Sequence, residues 1–567
     1  MLIMISDCST KKLIYSIILM LTCVCSLAGC ARRTPHSYKT EADEKVYSII
    51  DQKWQKDFGN KVNYKIGDTE PSPNDIQVEK AVPVSGVLSL PQAVALATAH
   101  NRQYQLEKEL LYISALDLML FRHEFEPQFF GTARGGYAKA GGEDITTLET
   151  GVESDRIIEE LVEPRFDPED LLDRPTGTGI GFNQLLSTGA LISTEVAIAW
   201  WRILAGNMAG ETLASILRAT VTQPLLRGSN RTVVMENLTQ AERNTLYQLR
   251  TFNRFRKTLV VSIINQYYTV VLQHDFVKNA RNNHKTLEEL HERTEKLVKA
   301  GRLPRLELER VRQEKLQALD TLVQAHKVYE QMLDEFKIAL GLPTTAEFQL
   351  DDRELTVLRK AGLTKPDFSE ADAIDTALSL RLDLANSADF IADAYRKIVV
   401  AADGFNAGLN VTAKIGIPLQ DITSDATIFT DRIETFLELD LPLDRALEQN
   451  IYRKSLIAFN QRKREYEEAR DLATLQVRQA YRDLMEAAER HSVQSEGLEL
   501  AKKRFDNTLL LVQYGRANTR RVLNAQGDLF DAQNAATEAL VAYNIATLNF
   551  YRDTGVVQVR DDGMWRH

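Results

Sequence analysis

Beyond its first thirty residues the chain has no cysteine, because Cys8, Cys23, Cys25 and Cys30 are all four. A disulfide framework and a thiolate metal site are thereby excluded from the remainder. The nine histidines form no ligand cluster. His284, Glu288 and His291 fall on one helical face, where packed or solvated side chains account for them. Basic residues are outnumbered, 69 Lys+Arg against 79 Asp+Glu, and no concentrated basic tract argues for nucleic acid. A Gly-rich phosphate loop, a Ser nucleophile elbow and a His-Glu-x-x-His zinc helix are all missing, so neither an enzyme nor a cofactor is expected. Glu434 and Glu438 could be read as an acid/base pair, but they share one face of a candidate strand and are better explained as polar lining. After the N-terminal segment no run reaches 18 apolar residues, which leaves no later transmembrane helix. The last absence is of helix breakers. Neither Gly nor Pro occurs between Ser229 and Ala300, and no Pro occurs from Leu443 to His567. A 70-residue helix reaches roughly 100 Å and needs lateral partners along its whole length.

What is present is a repeat. Leu297-Val298-Lys299-Ala300-Gly301-Arg302 reads against Leu511-Val512-Gln513-Tyr514-Gly515-Arg516, and the same offset pairs Tyr267 with Tyr481, Ala318 with Ala532, Phe336 with Phe550 and Gly341 with Gly555. A fixed offset over that length indicates internal duplication. Gly301 and Gly515 sit where each long helix must turn back, in the positive-φ position of a helix C-cap. Two further helices are expected at Leu90 and Phe368, where Leu90-x-x-Ala93-x-x-Leu96 matches Phe368-x-x-Ala371-x-x-Ile374.

The amino terminus reads as an export signal. Lys11-Lys12 precede an apolar run from Leu13 to Ala28, shorter than the ~20 residues of a comfortable span. It ends in Leu27-Ala28-Gly29-Cys30, which resembles a bacterial lipobox and implies acylation at Cys30; a plain signal peptide or an uncleaved anchor is the alternative.

Between the helices lie period-two segments. Leu409, Val411, Ala413, Ile415 and Ile417 alternate with polar residues that include Lys414. Ile433, Thr435, Leu437, Leu439 and Leu441 alternate with Glu434, Phe436, Glu438 and Asp440. Nine to eleven residues with this period suit a tilted strand crossing a bilayer, with Lys414, Glu438 and Asp440 facing a wet lumen. An amphipathic sheet on a soluble core is the alternative. In the first half, Thr178 to Leu186 and Ala190 to Trp200 form a hairpin candidate, and Ala214 to Gln223 a further strand. Trp200-Trp201 could sit in an interfacial aromatic belt or pack inside that hairpin. Because a lipid-exposed sheet edge is forbidden, several chains must close the barrel; four strands from each of three chains would give twelve.

With the motifs Leu90-Pro91-Gln92-Ala93-Val94-Ala95-Leu96-Ala97, Val221-Thr222-Gln223-Pro224-Leu225-Leu226-Arg227-Gly228, Ala339-Leu340-Gly341-Leu342-Pro343 and Leu439-Asp440-Leu441-Pro442-Leu443, in that order, the chain resembles the TolC-type outer-membrane factors over roughly Leu88 to Val557. The resemblance implies a mainly α fold with membrane β structure: a homotrimer with a twelve-stranded β-barrel continued by a twelve-helix α-barrel. It implies passive conduction as the outer-membrane exit duct of a tripartite efflux pump or type I secretion system, served by a periplasmic adaptor and an inner-membrane transporter. A periplasmic coiled-coil scaffold or adaptor lipoprotein without a membrane barrel is the alternative.

The expected layout is a signal peptide with lipobox (1–29), an N-terminal periplasmic strap (30–87), a first repeat (88–343) with an enlarged extracellular loop (138–176) and a tip near 301, and an equatorial connector (344–367). A second repeat (368–557) with strands at 405–417 and 433–443 and a tip near 515 follows, then a tail (558–567). The strap reads as extended chain around Pro71, Pro73 and Pro83. By the resemblance, Gly301, Arg302, Tyr514, Gly515 and Arg516 are docking candidates for the adaptor. Relatives carry acidic residues just after the second tip; here Arg520, Arg521 and Asn524 stand there, which puts cation selectivity in doubt. A ring of Arg521 would attract anions; an Arg facing periplasm or adaptor is the alternative.

Overall fold

The stretches without helix breakers become the two longest elements of the computed structural model. The structure describes residues 34–55, 58, 61, 63–66, 86–132, 178–203, 210–361, 368–421, 432–514, 516–559 and 565–566. Residues 1–54 and 55–567 form separate units. In the first, helix α1 (Pro35–Lys53) occupies part of the segment expected as a strap, with Pro35 at its first turn, where a missing N–H costs nothing. Pro71, Pro73 and Pro83 lie outside the described residues, as does Cys30.

The second unit opens with β1 (Val87–Leu88), α2 (Leu90–His100), α3 (Arg102–His123) and strands β2 (Gln128–Thr132), β3 (Thr178–Leu185), β4 (Leu191–Ile203) and β5 (Gly210–Pro224). A single helical turn, α4 (Arg231–Val234), leads into α5 (Glu236–Lys299), which α6 (Arg305–Leu340) follows as the returning arm. Then come β6 (Gln349–Leu350), α7 (Arg353–Ala361), α8 (Glu370–Leu380), α9 (Leu382–Asp403), β7 (Gly408–Asp421) and β8 (Arg432–Asp440). The second hairpin, α10 (Ala446–Gln513) and α11 (Thr519–Thr554), precedes β9 (Gln558–Val559) and β10 (Trp565–Arg566). The long arms have 64 and 68 residues, roughly 100 Å each, and both returning arms have 36.

The two halves join by the same device. Gly341 and Gly555 end the returning arms at φ 77° and 80°. Gly341 lies against the backbone of His100 and Asn101, where α2 bends into α3, and Gly555 against that of Leu380, where α8 bends into α9. Asn101 holds its bend by accepting hydrogen bonds from the Gln103 and Tyr104 N–H groups and by donating to the Ala339 carbonyl, 2.8 Å away. The short helices begin with equivalent capping boxes, Ser89 with Gln92 and Ser369 with Asp372. These caps correct the expected pairing of Leu90 with Phe368 by two residues. Ala93 and Ala97 correspond to Ala373 and Ala377, the buried alanines on which the arms pack.

Four helices lie side by side at every level. Near the sheet the order is α3, α5, α9, α10, and toward the tips α6, α5, α11, α10. Polar contacts line the seams between neighbouring helices. Arg122 pairs with Glu242 at 3.0 Å, Tyr247 donates to Asp393 at 2.7 Å, Asn279 donates to Asn534 at 2.9 Å, and Lys315 meets Glu288 at 2.7 Å. The core sits at mid-length, where Tyr267 meets Phe336 edge-on beneath the parallel pair β1–β6. In the second half Tyr481 and Phe550 repeat the contact beside Phe368.

The sheet differs from expectation. Among the described residues it is one antiparallel sheet of six strands in the order β2-β3-β4-β5-β7-β8, rather than four strands per chain. The surplus length of the first half is not all loop, because β3 and β4 pair along their length between β2 and β5. Among the described residues of one chain the sheet is open, with β2 and β8 as its edges. β8 stops at Asp440, ahead of Pro442, rather than reaching residue 443.

Candidate functional site

Alternation along six paired strands sorts the side chains into two faces. One rung of register partners reads Phe129, Phe182, Thr194, Ala219, Ile415, Ile433. The adjacent rung, on the opposite face, reads Gln128, Asn183, Ser193, Thr220, Lys414, Glu434. The first face is apolar and open: Phe129 is 80% exposed, Ile180 69% and Ile433 75%. Lys414, Glu438 and Asp440 share the second face. Lys414 lies over the Phe436 ring, Nζ 5.3 Å from its centre, and Thr222 and Thr412 hydroxyls bond across β5–β7 at 3.1 Å.

Glu195 and Arg218, also on the polar face, form a buried ion pair at 3.7 Å. Their neighbours in the rung are Gly181 and Gly416, and Gly179 also lies against Glu195. A side chain at either β3 glycine would overlap β4, so glycine here makes room for the carboxylate. Sequence reading did not find this pair, because its signal, two β3 glycines facing a charge on β4 whose partner lies on β5, emerges only with the register. The side chains of Trp200 and Trp201 lie outside the described residues.

At the helix end of the sheet, the turn between β3 and β4 is tied down. Gly189 (φ 82°) lies against the Gly228 carbonyl, Pro224 and Val234. Gln223 donates to the Thr188 carbonyl at 3.0 Å, and Gln184 donates to that of Phe125 at 3.2 Å.

Roughly 100 Å away along the arms are the tips. At the first, Gly301 has φ 71° and open space around it, and the Arg302 N–H closes the cap on the Leu297 carbonyl at 2.9 Å. The equivalent bond at the second tip runs from Arg516 N–H to Leu511 at 2.8 Å; Gly515 itself lies outside the described residues. Tyr514 is 77% exposed. Residues 296–306 and 507–527 carry Lys296, Lys299, Arg302, Arg305, Arg516, Arg520 and Arg521 but no Asp or Glu. Arg520, Arg521 and Asn524 are exposed on α11, whose Val522, Ala525 and Gln526 are turned inward; Asn518 caps the helix by accepting from the Arg521 N–H. Glu288, one of the three residues read as an unremarkable face, is held by Lys315 below the ordinary carboxylate range. Among the described residues no group of His, Cys, Asp and Glu could hold a metal ion.

The lateral edges of the slab are apolar. Leu106, Leu110, Ile113 and Leu120 on α3, and Leu316, Leu319 and Val323 on α6, are exposed along one edge. Leu472, Leu475, Val493 and Leu500 on α10 are exposed along the other. The apolar pattern of α10 therefore splits in two: Val477, Ala480 and Leu484 pack inward, while Leu472 and Leu475 face out.

Residues 373–556 match the family model described as "Outer membrane efflux protein". Over those residues the chain is similar to the outer membrane efflux proteins. Solved structures of the same fold include CusC, described as a transmembrane channel, at 15% identity and a TM-score of 0.55, covering 82% of this chain and 92% of that one. The Campylobacter jejuni outer membrane channel CmeC matches at 13% identity and 0.55, covering 88% and 91%. The open-state outer membrane channel MtrE of Neisseria gonorrhoeae matches at 14% and 0.55, covering 88% and 98%. No curated protein sequence matches.

Proposed function

We propose that three copies of this chain form an outer-membrane exit duct that conducts solutes passively from the periplasm. The observation carrying this is a sheet with one continuous apolar face, open at both edges, standing on helices roughly 100 Å long. Among the described residues no helix is long and apolar enough to cross a membrane, whereas the apolar sheet face suits lipid. Unpaired backbone groups at β2 and β8 cannot remain in hydrocarbon, so another chain must cover them. The α3/α6 side of one chain and the α10 side of the next present different apolar stripes. Such contacts are head-to-tail and close into a ring. Three chains with four helices abreast make a tube of twelve, as the resemblance to TolC-type factors implies.

The same resemblance supplies the partners. A periplasmic adaptor docks at Gly301, Arg302, Tyr514, Gly515 and Arg516, and an inner-membrane transporter provides the energy, as in a tripartite pump or type I secretion system. Acylation at Cys30 anchors the amino terminus in the outer membrane. Arg520, Arg521 and Asn524 line the entrance and favour anions, in keeping with the absence of Asp and Glu from 507 to 527. A periplasmic scaffold would leave the apolar sheet face in water. Single-particle imaging of detergent-extracted protein tests the reading. A threefold tube longer than about 100 Å with one end in a micelle is expected; a monomeric rod soluble without detergent overturns it.

A further inference from the structure

We propose that β3 and β4 are part of the lipid-facing wall, so that the assembled barrel has eighteen strands, six from each chain. The count rests on the threefold ring proposed above. Three observations carry the placement of the hairpin itself.

The first is the ladder. β3 and β4 pair continuously with β2 on one side and β5 on the other, so removing them from the wall would break two sets of backbone hydrogen bonds at membrane depth. The second is the face. The rung through Phe129, Phe182, Thr194, Ala219, Ile415 and Ile433 crosses the hairpin with Thr194 as its one polar member, and Ile180 and Val196 continue the apolar face one step further from the helices. A flap folded over the barrel mouth would have no reason to keep its apolar side at the same depth and on the same face as β7 and β8. The third is the turn. Gly189 and Thr188 are fixed against Gly228 and Gln223, at the level where β5 enters the helices. The hairpin therefore starts from the helix end of the sheet and rises alongside its neighbours.

The edges suit closure. β2 runs away from the helices and β8 returns toward them, so β2 of one chain meets β8 of the next antiparallel, as every other pair in the sheet does. The circumferences agree as well. Eighteen strands about 4.8 Å apart and tilted by about 40° span about 110 Å, whereas twelve span about 75 Å. Twelve helices packed about 9–10 Å apart span about 110–120 Å. A six-strand chain therefore meets its own four helices with little taper. The result is an outer-membrane lumen about half again as wide as a twelve-stranded one, with the Glu195–Arg218 pair facing it.

Fluorophores on single introduced cysteines, in trimers reconstituted with lipids carrying a nitroxide on the acyl chain, test the placement. Each variant is compared with unsubstituted protein, which carries Cys30. Ile180→Cys and Val196→Cys are expected to be quenched within about twofold of the β7 control Ile415→Cys, while Asn183→Cys on the opposite face is not quenched. Quenching at Ile415→Cys without quenching at Ile180→Cys and Val196→Cys puts the hairpin outside the wall and overturns the eighteen-strand count alone. Absence of quenching at Ile415→Cys as well overturns the outer-membrane reading itself. A map of the same trimers should show a wall of about 110 Å circumference; one of about 75 Å refutes the count even where the labels are quenched.

Discussion

Single residues in this chain separate backbone demands from solvent-facing choices. Gly301 and Gly341 both have positive φ, but only Gly341 has backbone against it. Gly301→Ala should cost about 1–2 kcal/mol, the left-handed conformational term alone. Gly341→Ala should cost about 2–5 kcal/mol, because strain is added to overlap with the His100 carbonyl that cannot relax. Thermal unfolding of the two variants side by side checks the difference. Asp393 is buried between α5 and α9 and accepts from Tyr247, Arg243 and Gln240, with Arg396 2.9 Å away. Burial foremost, together with the Asp393 charge, raises the Tyr247 pKa despite Arg243. Asp393→Ala leaves Arg396 with Glu236 at 2.8 Å and Arg243 with Asp389 at 3.6 Å but removes the acceptor of the Tyr247 hydroxyl, and should cost about 1–3 kcal/mol in the same measurement. Arg521 belongs to the surface rather than to this core. If Arg521 rings the entrance, Arg521→Asp should shift the reversal potential of reconstituted channels toward cation preference; an unchanged potential removes Arg521 from the constriction.

At the scale of elements, the bends between short and long helices are the joints on which both repeats close. At the second bend Arg381 and Arg254 surround Asp383 at 2.8 and 2.7 Å. Burial opposes ionisation of Asp383, but the Arg381 hydrogen bond and both guanidinium charges outweigh it and hold the carboxyl below its ordinary value. With the folded pKa below the unfolded one, this stabilisation is fully present above about pH 4 and is lost as pH falls through the folded value. Melting curves between pH 6 and pH 3 should fall less steeply for Asp383→Asn than for the unsubstituted chain. Elements were legible to different degrees. The long arms could be read because Gly and Pro are missing from them and helical periodicity fills the gap. β7 and β8 could be read because every second residue is apolar. The hairpin β3–β4 was visible as two strands, but its place was not. Gly179, Gly181 and Asn183 give β3 a weak alternation, and a local pattern cannot say whether a hairpin is inserted in a sheet or folded over it.

At the scale of the whole molecule, the exposed stripes decide assembly. Leu472→Glu with Leu475→Glu on α10 removes apolar surface that its own chain does not bury. The folded protomer should keep its helical content while the ring fails to form, as native mass spectrometry or particle symmetry would record. The same pair at Val477 and Leu484, both buried, should instead unfold the chain.

Sequence alone determined the duplication, the helix lengths and the amphipathic strands, because each is written in spacing along the chain: offsets, helical and two-residue periods, and the positions of Gly and Pro. Only the tertiary structure decided the two-residue shift that aligns the capping boxes, the split of α10 into an inner and an outer stripe, and the six-stranded sheet with its Glu195–Arg218 pair. Those depend on register between segments far apart in the chain. Register is set by which faces can be buried together, and no local pattern records that.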